Sequence, residues 1–62
     1  MYKKYESLLK KENKTSYQVA KETGIAQSTF SDWKNGISKP KVDKLLILSD
    51  YFGVNINYFL TE

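Results

Sequence analysis

The stretch GIAQSTFSDWKNG, Gly24 to Gly36, opens and closes on glycine and carries two unlike faces between them. At about 100° per residue, Phe30 and Trp33 fall near one another on a helical wheel. Gln27, Ser28, Ser31 and Asp32 occupy the opposite arc, with Asn35 beside them. Taken alone, such an arc is compatible with an ordinary solvated face. Its meaning depends on what precedes it.

Upstream, Thr15 followed by Gln18 fits the capping box S/T-x-x-E/Q, in which side chain and backbone satisfy each other's free groups at a helix start. Val19, Ala20 and Thr23 then face one way, and Gly24 is expected to end the helix as a left-handed residue. Barely two turns long, this helix cannot stand alone, because nucleation is costly. It is joined by TGIA to the helix expected at Gln27 to Lys34, which Asn35-Gly36 stops. Ala20 sits where a crossing helix must approach closely. Val19, Ile25, Phe30 and Trp33 supply the apolar contacts that fix the crossing angle. A tight turn, compact packing and a free outer face are what a DNA-binding helix-turn-helix requires.

Outside this pair the chain also reads as helical. Tyr2, Tyr5, Leu8 and Leu9 recur at helical spacing within Tyr2 to Lys11, and lysines fill the other side. ISKPK follows the third segment as a loop, where Pro40 is acceptable at a helix entrance but not in its interior. The fourth segment, about Lys41 to Phe52, is the most apolar, with Val42, Leu45, Leu46, Ile47, Leu48 and Phe52, and it ends at Gly53. A fifth, with Asn55 as its N-cap, carries Ile56, Tyr58, Phe59 and Leu60. No segment alternates with period two. The expected fold class is all-α, five short helices in one domain, residues 1–62.

The totals narrow the function. Sixty-two residues make a single domain that must pack efficiently. With no cysteine and no histidine, disulfides, Cys/His metal sites and Ser-His-Asp or Cys-His catalysis are excluded. Asp43 and Asp50 have no partner that would make them catalytic and read as surface charges. Neither an enzyme nor a cofactor is expected. There is no signal-peptide core at the N-terminus and no run near the about 20 apolar residues of a membrane span, so the expected location is the cytoplasm of a bacterium or of an infected host cell. All ten basic residues are lysines against seven acids, a net charge of +3 that is compatible with nucleic acid without requiring it.

On these residues, Ser16 to Asn35, SYQVAKETGIAQSTFSDWKN, resembles the helix-turn-helix of the phage lambda Cro/C1 repressor class, the XRE-type family. Ala20, Gly24, the apolar set Val19, Ile25, Phe30 and Trp33, and the Trp33–Gly36 ending match its pattern. ISKPKVDKLLILSDYFGVNINYFL is similar to the family's fourth and fifth helices, and the resemblance extends from Tyr5 to Leu60. Four positions depart from it. Thr23 stands where an apolar residue is usual. Ala26 and Lys41 stand where capping Ser or Thr is frequent, and losing a cap costs about 1 kcal/mol. Ser49 replaces a common buried Ala and can bond back to a carbonyl one turn earlier.

The resemblance implies a lambda-repressor-like domain whose third helix enters the DNA major groove. Gln27, Ser28, Ser31 and Asp32 would then read bases: Gln pairs bidentately with adenine, Ser is tolerant, and Asp accepts from the cytosine amino group. Asp32 also repels phosphate, which favours an alternative, a protein-interaction module of the same fold that has lost DNA binding. The resemblance assigns phosphate contacts to Thr15, Ser16, Tyr17, Lys34, Asn35, Ser38, Lys39 and Lys41. Lys34, at the edge of the arc, could also stand in for the missing arginine as a guanine reader. The implied partner is a double-stranded, palindromic operator bound by a homodimer with half-site centres roughly 34 Å apart. INYFLTE is the candidate dimer edge, and also the point where longer repressors continue into a second domain.

Overall fold

The capping box at Thr15 forms as the sequence requires. The Gln18 amide donates to Thr15 Oγ1 at 3.2 Å, and the Thr15 amide donates to Gln18 Oε1 at 3.0 Å. In the computed structural model, which describes residues 1–61, five helices run in order: α1 (Tyr2–Glu12), α2 (Ser16–Thr23), α3 (Gln27–Lys34), α4 (Val42–Phe52) and α5 (Asn57–Leu60). No strand occurs among the described residues. Glu62, the last residue of the expected domain and of the INYFLTE edge, lies outside them.

The helix ends are local events. At Gly24, φ is +82° and the amide donates to the Ala20 carbonyl at 2.9 Å, the left-handed stop that only glycine adopts without strain. Asn13 does the same for α1 with φ of 54°, which Asn tolerates better than other side chains. Neither Ala26 nor Lys41 gives its helix a side-chain cap. Asn55 acts one position earlier than expected. The N-cap position of α5 is Ile56, and Asn55 Oδ1 accepts from the Asn57 amide at 2.9 Å across it.

One core joins all five helices: Tyr5, Leu8 and Leu9 of α1, Val19 of α2, Ile25 in the turn, Phe30 and Trp33 of α3, Leu45 and Leu48 of α4, and Phe59 of α5. Within the apolar fourth segment the helix discriminates. Leu45 and Leu48 are buried, whereas Val42 and Leu46 are 60% and 52% exposed. Val42 and Leu46 are four apart and share a stripe turned away from that of Leu45, Leu48 and Phe52. Ser49 lies on the buried side and donates to the Leu46 carbonyl at 2.9 Å. A hydroxyl therefore occupies the core at no unsatisfied bond. Helix α5 is pinned to α1, with Lys4 Nζ donating to Thr61 Oγ1 at 3.2 Å and lying 5.6 Å from the Tyr58 ring centroid.

Candidate nucleic-acid interface

The short α3 cannot hold its own shape, so its apolar side must be clamped. Phe30 and Trp33 are buried and meet edge to face, centroids 5.2 Å apart and planes at 88°. The Tyr5 ring of α1 lies parallel to Phe30 at 4.8 Å. These two ring contacts restrain the rotation of α3 about its axis, and that rotation decides which residues face outward.

The turn into α3 is held more firmly than the departure at Thr23 implies. Thr23 Oγ1 donates to the Val19 carbonyl at 2.6 Å and accepts from the Ile25 amide at 3.3 Å. The hydroxyl thus replaces the missing apolar contact with two bonds that tie the end of α2 to the turn. Ala20 is half-buried and packs on the core, as a close helix crossing demands.

With α3 anchored in this way, Gln27, Ser28 and Ser31 are exposed on its outer side, while Asp32 is half-buried. Asp32 also contributes its carbonyl, which accepts from the Ile37 amide at 2.9 Å and closes the turn after α3. Its carboxylate forms no salt bridge among the described residues, where Lys14–Glu22 is the ion pair present. Gln27 opens onto a shallow depression between α2 and α3 whose other walls include Tyr17, Lys21 and Ile25. Tyr17 is 60% exposed, so it is a surface group and not a core packer.

The residues assigned to phosphate fall into two groups. Thr15, Ser16 and Tyr17 stand together at the N-terminus of α2. Thr15 Oγ1 serves as an acceptor within the capping box, which leaves its proton free. Ser16 Oγ lies 2.8 Å from Tyr5 Oη. Lys34, Ser38 and Lys39 line a groove that also takes in Lys3, Trp33, Pro40 and Phe59. Asn35 and Lys41 are exposed but do not line it. Two lysines escaped the sequence reading. Lys21 stands one helical turn after Tyr17 and so shares its face, a signal that was available. Lys3 joins Lys34 and Lys39 through the fold alone, and no local pattern announces it. Among the described residues no acidic cluster suits a metal ion, and no helix is long and apolar enough to cross a membrane.

A family model described as Helix-turn-helix matches residues 6–59, a span that contains α2, the turn and α3 entire. The chain belongs to the Cro/C1-type helix-turn-helix family. Over 46 residues it is 37% identical to YobD of Bacillus subtilis (strain 168), described as an uncharacterized HTH-type transcriptional regulator. The match takes in 74% of this chain and 41% of YobD, so it spans less than half the length of that relative. No solved structure matches the chain significantly. As a helix-turn-helix, the domain has α2 as its first helix, Gly24 to Ala26 as its turn and α3 as its second.

Proposed function

We propose that this domain belongs to a transcriptional regulator, a bacterial or phage repressor, that binds double-stranded DNA sequence-specifically. The observation that carries this is the clamped α3, whose exposed Gln27, Ser28 and Ser31 are held outward by buried Phe30 and Trp33. An α-helix fits the major groove, where each base pair shows a distinct donor and acceptor pattern. Gln27, Ser28, Ser31 and Asp32 take the base-reading role. Thr15, Ser16 and Tyr17 on one side, and Lys34, Asn35, Ser38, Lys39 and Lys41 on the other, take phosphate. The free amides at the start of α2 add a positive dipole end to the first group, and the lysines add charge to the second. Family membership and the printed description of YobD as a transcriptional regulator support the reading.

One domain covers one half-site. Two copies on a palindrome, working in the cytoplasm of a bacterium or an infected cell, complete the proposal. Exposed Leu60 is available to the dimer edge. A second reading, a protein-interaction module that has lost DNA binding, draws on Asp32, a carboxylate within the same arc that has no salt bridge among the described residues. Selection from a randomised duplex library, followed by fluorescence anisotropy over a salt series, separates the two. Enrichment of a common site whose affinity falls steeply with salt supports the repressor reading. Selection that returns no preferred sequence overturns it.

A further inference from the structure

Tyr5 is completely buried, yet it carries a hydroxyl, and that hydroxyl has Ser16 Oγ as its partner among the described residues. The pair spans eleven positions of sequence and joins α1 to the first residue of α2. A face of the Tyr5 ring is occupied too. It stacks parallel on Phe30, the residue that anchors α3. One side chain therefore touches both the end of α2 assigned to phosphate and the inner face of the helix assigned to bases.

The direction of the Tyr5–Ser16 hydrogen bond follows from burial. Each hydroxyl has one proton. If Ser16 donated to Tyr5, the phenol proton would be left inside the core with nothing to receive it, and water cannot reach a side chain with no exposed surface. If Tyr5 donates, its proton is satisfied, and the proton of the half-exposed Ser16 is free to point outward. Burial raises the phenol pKa above its ordinary value, with Ser16 opposing in part, so the group keeps its proton at neutral pH. A hydroxyl that accepts one hydrogen bond becomes a better donor of the next.

We infer that Tyr5 is a positioning residue for DNA binding: it donates to Ser16 Oγ, which locks the Ser16 hydroxyl with its proton turned toward a backbone phosphate, and through Phe30 it holds that contact in fixed register with α3. The inference rests on the DNA-binding reading above. It adds that a buried residue which touches no DNA sets the geometry of a phosphate contact.

The test is a double-mutant cycle in binding, with Tyr5→Phe, Ser16→Ala and the double variant. Tyr5→Phe keeps the ring and its stack on Phe30, so the core stays filled. Circular dichroism of each variant at the assay temperature confirms the folded state. The probe is a labelled random-sequence duplex at low salt, because a phosphate contact is independent of sequence. Tyr5→Phe should weaken binding by roughly fivefold in the parent and by less than about twofold once Ser16 is already Ala. The salt slope should be unchanged, since no charge is removed. Equal losses in both backgrounds overturn the inference, because the phenol then acts only through the fold. So does parent-like binding by Tyr5→Phe alongside weakened binding by Ser16→Ala, a result that leaves the phosphate contact intact. If the parent does not bind the duplex at all, the DNA-binding reading falls and this inference falls with it.

Discussion

The rings of Tyr5 and Phe30 lie 2° from parallel with their centroids 4.8 Å apart, and this stack joins the first helix to the proposed reading helix. Both residues are almost fully buried, and Trp33 meets Phe30 in an edge-to-face contact. Among the described residues no other aromatic pair joins α3 to another helix. Phe30→Ala should therefore cost about 3–5 kcal/mol, most of the stability such a chain can hold. Urea unfolding followed by circular dichroism should show the midpoint collapsing toward zero denaturant. A loss below about 1 kcal/mol would mean that α3 is held by other contacts.

Gln27 is exposed at the first position of α3, beside the depression formed with Tyr17 and Lys21. A Gln amide matches the adjacent acceptor and donor of adenine in the major groove. Gln27→Ala should lose about 1–3 kcal/mol on the selected site and relax the preference at one base position. Repeating the selection with the variant checks this. Uniform weakening at every position would remove Gln27 from the base-reading set.

Lys39 is exposed in the loop after α3 and lines the same groove as Lys3 and Lys34. A lysine that neutralises one phosphate releases counterions, so its removal shows in the salt dependence. Lys39→Ala should weaken selected and random duplexes alike and reduce the log–log salt slope by about 1. An unchanged slope would show that Lys39 stays clear of the backbone.

The parts legible in the sequence were those with local causes. The Thr15–Gln18 capping box, the glycine stops at Gly24 and Gly53 and the two faces of α3 each depend on neighbours within a turn or so, and each formed as read. Pairings set by the tertiary fold were not legible. Helical spacing placed Tyr5 in the core, but its hydroxyl partner Ser16 lies on another helix. The apolar run of α4 did not reveal that Val42 and Leu46 would stay exposed, because a run with few polar breaks does not mark its inner face. Thr23 read only as a departure from the family pattern, because its bond from the Ile25 amide depends on where the turn places that amide. The polar arc of α3 was visible as a wheel pattern. The half-burial of Asp32 and the groove that Lys3 shares with Lys34 and Lys39 required the fold.

Glu22 links α2 to α4 and to the loop after α1. Tyr51 Oη donates to its carboxylate, and Lys14 Nζ lies 3.6 Å from it. The Tyr51 hydrogen bond, and then the Lys14 charge, hold the Glu22 carboxyl below its ordinary pKa. A carboxylate depressed in the folded state stabilises the fold above its unfolded pKa, and that contribution is lost as pH falls through the folded value. The window thus opens near the ordinary glutamate range, around pH 4, and extends below it. Thermal midpoints taken from pH 7 to 3 should fall more steeply for the parent than for Glu22→Gln, which cannot titrate. Because all three groups are near the surface, the difference should be small and should shrink with added salt. Parallel curves for the two proteins would show that the link contributes nothing.

Ala26 stands at the N-cap of α3 with extended backbone angles, φ −64° and ψ 144°, and makes no side-chain cap bond. The conformation is already that of a capping residue, so only the oxygen is missing. It is also exposed, which leaves room for a hydroxyl. Ala26→Ser should place Oγ within reach of an amide in the first turn of α3 and stabilise the domain by about 1 kcal/mol. A gain of that size in so short a chain should raise the thermal midpoint by roughly 4–8 °C. Because the substitution leaves the neighbouring, exposed Gln27 in place, the same variant should leave the selected DNA sequence unchanged. Thermal denaturation and a repeat selection read the two effects separately. A midpoint that does not rise would show that the first turn of α3 already has its amides satisfied by solvent at no cost.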